Sequence, residues 1–369
     1  MIMELAILGL PLSGKTTFFN AITGQSAETG GYSGGDPNIG ILKVPDQRLQ
    51  ILAKIDNPNR IIPAELKCID YPGAAFTDSG GTGRGLARFI DQLALSDALL
   101  YIIRGFEDER VPLPSDGVNA KRDIETLDLE LTVADIGLIE RRLERIDVET
   151  RSMKSSERVN AERHAALLAR MREHLESGNA LRSFVRTADE ERELQGYRFV
   201  TDRPLLILIN INESDVSQTA EIEDQYKDLL NDDYTAVAAI SAEIEREVSQ
   251  LEPSEASAFR QDLGLPEESS RDKSLNAAYA LLGMHSFLTT GEDEVRAWPI
   301  PIGTTAVQAA GKIHSDLERG FIRAEVTSFS DYQTNEGSAA SLRQGGLTRT
   351  EGKDYVVKDG DILNILFNI

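Results

Sequence analysis

Residues 9–16 read Gly9-Leu10-Pro11-Leu12-Ser13-Gly14-Lys15-Thr16, and this GxxxxGK(S/T) run restricts the possible folds more than any other feature of the chain. It makes physical sense in one context, the end of a buried strand turning into a helix. Both flanks fit: residues 3–8 are a short apolar run, and residues 16–23 carry a helical pattern. Glycine lets the backbone wrap so that its N–H groups and the positive end of the helix face an anion. Lysine and a hydroxyl at the end of such a loop supply a charge for phosphate oxygens and a ligand for Mg2+. Gly9, Leu12, Ser13, Gly14, Lys15, Thr16 and Thr17 are therefore expected to bind the phosphates of a nucleotide. Thr16 is the expected metal ligand, and Lys15 is also expected to act on the reacting phosphoryl group.

Further apolar runs at 39–44, 64–69, 98–103, 205–209 and 236–240 suit strands of the same sheet. Helical patterns, for instance at 86–95 and 220–230, separate most of them. Strands alternating with helices predict an α/β fold with a doubly wound, mainly parallel sheet. From about 127 to 194 the alternation stops. Here the sequence is charged and poor in Gly and Pro, with Leu138, Leu143, Ile146, Leu167, Leu168, Met171 and Leu175 at helical spacing. With a polar, turn-like stretch at 151–160, this predicts an inserted antiparallel helical hairpin, although a small bundle packed on the sheet has the same period. After about residue 283, β-like runs at 295–300, 322–329, 354–357 and 362–369 accompany one helix at 306–317. That pattern suits a compact α+β module of β-grasp type. The expected division is a nucleotide-binding domain from 1–126 and 199–282, a hairpin at 127–198 and a C-terminal module at 283–369.

Two more motifs fall at ends of predicted strands. Asp70-Tyr71-Pro72-Gly73 has the DxxG form some 55 residues after the phosphate loop. In such folds the Asp holds Mg2+ and the Gly N–H senses the γ-phosphate, which assigns Asp70 to the metal and Gly73 to catalysis. Asn210-Ile211-Asn212-Glu213 stands where guanine-binding proteins carry Asn-Lys-x-Asp. Aspartate there accepts from guanine N1–H and the exocyclic amine. With Ile211 and Glu213 in place, the preference for guanine weakens and adenine is permitted, so ATP and GTP both stay open. Ser241-Ala242-Glu243, after the next strand, fits a small loop whose backbone donors cover the base.

Composition limits what else the chain can do. One cysteine, Cys68, excludes an internal disulfide or a cysteine zinc site, and four scattered histidines make histidine metal chemistry an unsuitable reading. No apolar run approaches a membrane span and the N-terminus lacks the pattern of an export signal, so a cytoplasmic protein is expected. The net charge of −22 argues against DNA or any partner held by bulk electrostatics. Between 140 and 176, however, nine Lys/Arg stand against eight Asp/Glu. That surface, with Arg158, Arg163 and Arg170, is expected to meet an anionic partner; an ordinary solvated helical face reads the same way.

Longer runs complete the picture. Pro37-Asn38-Ile39-Gly40, Ser241-Ala242-Glu243-Ile244-Glu245, Glu294-Val295-Arg296-Ala297-Trp298, Gln308-Ala309-Ala310-Gly311-Lys312-Ile313-His314 and Glu351-Gly352-Lys353-Asp354-Tyr355-Val356-Val357 resemble the YchF (Obg-like ATPase) family, and the resemblance covers essentially the whole chain. It implies a G domain, an inserted hairpin and a C-terminal TGS domain. It also implies an Mg2+-dependent switch that uses ATP and/or GTP and associates with the ribosome or its RNA; a monomer is expected. The chain departs from the family's pattern at Leu113, where the family has a histidine credited with hydrolysis, and at Gly34, where it has a metal-binding threonine. Ala74 occupies the place of the water-orienting glutamine of small GTPases, and Asp36 and Asp78 are substitute candidates. Slow hydrolysis is the expectation, with a non-hydrolysing nucleotide-binding scaffold as its alternative.

Overall fold

A computed structural model describes residues 3–25, 27, 36–72, 89–114, 116–230, 232–263, 265 and 269–368. The strands, in chain order, are β1 Met3–Leu8, β2 Asn38–Lys43, β3 Arg60–Ile62, β4 Glu65–Asp70, β5 Ala98–Arg104, β6 Leu205–Asn210, β7 Thr235–Ile240, β8 Met284–Thr289, β9 Glu294–Pro301, β10 Phe321–Ser328, β11 Arg349–Glu351 and β12 Asp361–Phe367. The chain divides into two compact units, one of residues 3–40 and 67–274, the other of 41–66 and 275–369.

In the first unit the sheet order is β2-β4-β1-β5-β6-β7, with β1/β5, β5/β6 and β6/β7 parallel. Every residue of β5 and of β6 is buried. Such uninterrupted apolar strands need cover on both faces, which is why they read as continuous runs without alternation. Parallel pairing also brings the carboxyl ends of β1, β5, β6 and β7 to one edge, the place where doubly wound sheets bind ligands. The helix Lys15–Thr23 starts at that edge and buries Phe18, Phe19, Ala21 and Ile22.

Two long helices, Ala120–Thr150 and Ser155–Glu176, form the expected hairpin around Ile139, Ile146, Leu167, Leu168, Met171 and Leu175. The first begins at 120, not 127, because Asn119 caps it by accepting from the Arg122 N–H at 3.1 Å. The turn is only 151–154, since Ser155 onward is already helical. Asp135 fixes the hairpin to the chain that returns to the sheet: its carboxylate accepts from Val200 N at 3.1 Å, Thr201 N at 2.8 Å and Thr201 Oγ1 at 2.6 Å. Burial nevertheless holds the Asp135 carboxyl above the usual range. The helix expected at 220–230 is broken into Thr219–Asp224 and the short turn Lys227–Leu229.

The second unit has the sheet order β11-β10-β12-β8-β9-β3. The pairs β10/β11, β10/β12 and β8/β9 are antiparallel, and β12/β8 and β3/β9 are parallel. The helix Ala306–Ile313 buries Ala306, Ala309 and Ala310 against Phe287, Trp298, Phe321, Val326 and Leu363. That helix stops short of 317 because His314 is extended (φ −161°, ψ 142°) and caps the separate helix Ser315–Arg319. The run 354–357 forms no strand; Val356 makes a single bridge to Thr305. Residues 41–66, expected within the nucleotide-binding domain, count with this unit because β3 adds to β9 and Arg60 pairs with Glu294 at 3.1 Å.

Candidate nucleotide site

At the edge of the first sheet lies a cavity of about 400 Å3. One end is the phosphate loop. Its sharp wrap requires left-handed backbone at Leu12 (φ 64°) and at Gly14 (φ 87°). For leucine this conformation costs energy, and such strain collects at functional loops. A side chain at Gly14 would collide with the Asn210 amide, and one at Gly9 would come within 2.5 Å of the Ile102 carbonyl. Gly9 therefore serves by letting the loop pack on β5 and does not line the cavity, whereas Leu12, Ser13, Gly14, Lys15, Thr16 and Thr17 do.

Three side chains converge on Asp70, which is 2% exposed. The Lys15 ammonium, 7% exposed, is ion-paired with it. Thr16 Oγ1 donates to Asp70 Oδ2 at 3.1 Å, and Asn38 Nδ2 donates to the same oxygen at 3.2 Å. Among the described residues the Ser13 hydroxyl is buried without a hydrogen-bond partner, and it lines the cavity, available to a phosphate oxygen. Magnesium suits this chemistry, since Thr16 and Asp70 offer hard oxygen donors. Among the described residues there is no cluster of three or more His, Cys, Asp or Glu that could enclose an ion alone. An ion held by Thr16 and Asp70 would take phosphate oxygens and water as its other ligands, the usual habit of Mg2+. Gly73, together with Gly34, Ala74 and Asp78, lies outside the described residues.

The other end is built from the loops after β6 and β7. Asn210, Ile211, Asn212, Glu213, Ser241, Ala242 and Glu243 all line the cavity. Asn210 bridges the two ends: its Nδ2 donates to the Ser13 carbonyl at 3.0 Å, and its Oδ1 accepts from Ala242 N at 3.0 Å. The Ala242 N–H, expected as a donor to the base, is thus committed to Asn210. Ser241 caps the next helix by accepting from Ile244 N at 3.5 Å. Ile211 is 4% exposed and joins the core, while Glu213 is exposed at the start of the turn Glu213–Gln218.

A wall the sequence did not announce comes from the loop after β5, with Phe106, Asp108, Arg110 and Val111 lining the cavity. Its stake is Arg104, 3% exposed, whose guanidinium donates to the carbonyls of Phe106 (3.2 Å), Val111 (3.2 Å) and Pro112 (2.8 Å) and lies 4.8 Å from the Phe106 ring centre. Burial lowers the pKa of Arg104. Arg110 grips Asp108 with three bonds of 2.7–3.1 Å, and these hold the Asp108 carboxyl down at about 2. The only local signal was an arginine ending an otherwise apolar strand. Leu113 is 55% exposed and does not line the cavity.

A strand–loop–helix phosphate cradle, an acid at the neighbouring strand end and a base-side Asn-x-x-Glu define a P-loop nucleotide-binding protein of the GTPase fold. A family model for 50S ribosome-binding GTPases matches residues 4–133, and the model for the C-terminal domain of YchF GTPases, described as a protein of unknown function, matches residues 284–368. The ribosome-binding ATPase YchF of Escherichia coli O157:H7 is 36% identical over 98% of both chains, and that of Bacillus subtilis is 35% identical over the full length of both. The structure of the Schizosaccharomyces pombe YchF GTPase superposes with a TM-score of 0.82 at 26% identity, covering 99% of this chain and 97% of that one. The chain belongs to the YchF family.

Proposed function

We propose that this chain is a slow, Mg2+-dependent nucleoside triphosphatase that acts as a nucleotide-controlled switch in association with the ribosome. One observation carries the reading: a single cavity joins the Lys15–Thr16–Asp70 cluster at one end to Asn210–Glu213 and Ser241–Glu243 at the other. A triphosphate laid along the loop would take the Lys15 charge that Asp70 now holds, with Thr16 and Asp70 turned to the metal. Bound Mg2+ would supply charge neutralisation at the β- and γ-phosphates. Asn210 keeps the phosphate loop in register with the base-side loops. Ile211 and Glu213 favour adenine or leave the base choice open. The names of the bacterial relatives support ATP hydrolysis and ribosome association. We assign residues 283–369 to a TGS-like β-grasp domain, 127–198 to the inserted hairpin, whose first helix starts at 120, and the remainder to the G domain, apart from 41–66, which count with the C-terminal unit. The protein acts in the cytoplasm as a monomer without membrane or DNA; among the described residues no helix is long and apolar enough to cross a membrane.

Calorimetric titration with ATP, GTP and their diphosphates, with and without Mg2+, tests this directly. Magnesium-dependent binding of ATP at least as tight as GTP is expected; GTP preferred by more than tenfold overturns the base assignment. A second reading, a non-hydrolysing scaffold, is favoured by the outward position of Leu113. Single-turnover hydrolysis with and without ribosomes separates the two.

A further inference from the structure

The near-balanced charges of 140–176 are unequally used. Arg158, Arg163 and Arg170 pair with Glu162, Glu193 and Glu190, and Arg151 and Arg172 with Asp147 and Glu176. Four other arginines, Arg141, Arg142, Arg145 and Arg198, line one cavity of about 450 Å3 between the helix Ala120–Thr150, residues 91–95 and the turn 196–198. Arg142 donates to Tyr197 Oη at 3.0 Å and reaches Glu149 at 3.3 Å. Arg141, Arg145 and Arg198 are exposed, and among the described residues none of them has a hydrogen-bond or ion-pair partner. Asp91 is the one carboxylate among the described lining residues.

We propose that this cavity binds the phosphodiester backbone of single-stranded RNA; for its partner class the inference rests on the ribosome reading above. A guanidinium fork matches a phosphate with two parallel hydrogen bonds. Arg141 and Arg145 lie one turn apart, about 6 Å along the helix axis, so their forks can serve neighbouring phosphates of one strand. Leu95, 54% exposed, with Leu138 and Tyr197, gives the cavity an apolar and aromatic side against which a base can lie. The chain's −22 charge repels a polyanion at range, so an unpaired strand that enters the cavity is admitted more readily than a duplex. The three arginines the sequence nominated for this role are already neutralised by their own glutamates.

The test is fluorescence anisotropy of the full chain with a short fluorescein-labelled oligouridylate across a salt series. The variant R141E/R145E/R198E is expected to bind RNA at least ~10-fold more weakly. It should also flatten the log–log salt slope by about 2, at roughly 0.7 per phosphate contact over three contacts. R141K/R145K/R198K should keep the slope and lose part of the affinity, because it retains charge without the fork. R158Q/R163Q/R170Q should change affinity less than about twofold, since each of these arginines has a glutamate partner and none lines the cavity. Unchanged ATP affinity reports that the variants fold. Unaltered RNA binding in the glutamate variant overturns the proposal, as does inorganic pyrophosphate competing as well as RNA. Lost ribosome co-sedimentation with RNA affinity retained would give the surface to a protein partner. If the parent chain neither binds RNA nor sediments with ribosomes, the ribosome reading itself fails; if it sediments and only the RNA result is negative, this site alone is wrong.

Discussion

The two ends of the nucleotide cavity are built by different means. At the phosphate end, contiguous residues 12–17 and one acid do the work, and Lys15 and Asp70 are almost fully buried. At the base end, two loops well separated in sequence each contribute a few residues, and Glu213 is exposed. Burial raises the worth of each charge, because a polar contact in low dielectric is stronger and an unpaired group there costs more. Phosphate binding should therefore hinge on single atoms. Base choice should yield only to combined changes.

The largest effect we expect lies in turnover, where neither end decides the rate. Leu113 points away from the cavity here, so Leu113→His should accelerate single-turnover hydrolysis, by up to about 10²-fold, if bound nucleotide draws the loop after β5 inward. Nucleotide affinity should stay within twofold. Equal rates in both proteins would place the missing group elsewhere, first at Asp36.

Lys15→Ala comes next and tests the phosphate end. Loss of a charge-assisted contact is worth about 1.5–3 kcal/mol, or roughly 10- to 150-fold in Kd. Affinity for Mg-ATP within twofold of the parent, measured by calorimetry, would contradict the assignment of the loop. Asn210→Ala strikes the link between the ends, leaving the Ser13 carbonyl and the Ala242 N–H without partners. A loss of about 1–3 kcal/mol is expected, visible as a lower Tm and as weaker ATP and GTP binding together. If only one nucleotide were affected, Asn210 would be a base reader and not a bridge.

The smallest effect belongs to the base end. Ile211→Lys with Glu213→Asp should raise GTP affinity relative to ATP by about tenfold, near 1.4 kcal/mol. Each single change should do much less, since Glu213 is solvated. A single change as effective as the pair would show that the base end, too, depends on one atom.

Much of this was legible before any coordinates. The run 3–8 is the strand β1 to the residue, and the strands at 98–104, 205–210 and 235–240 differ from the apolar runs by a residue at an end. Their legibility has a cause: strands buried on both faces must be apolar throughout. The second unit was harder to read. β8 escaped notice because Met284–Thr289 mixes histidine and serine into a mostly buried strand. β3 did so because a three-residue edge strand has no periodicity to detect.

Sequence by itself determined the phosphate loop, Asp70, the altered Asn-x-x-Glu tetrad and the hairpin, since each is written in residues that are neighbours along the chain or spaced by one helical period. Tertiary structure decided which groups are spent. It committed Asn210 to Ser13 and Ala242 and set Arg104 to hold the wall around Phe106. It gave Arg158, Arg163 and Arg170 their glutamates while leaving Arg141, Arg145 and Arg198 with none among the described residues. Composition counts charges, but whether a charge is available depends on partners a few ångströms away, and some of these, such as Glu193 for Arg163, lie thirty residues off along the chain.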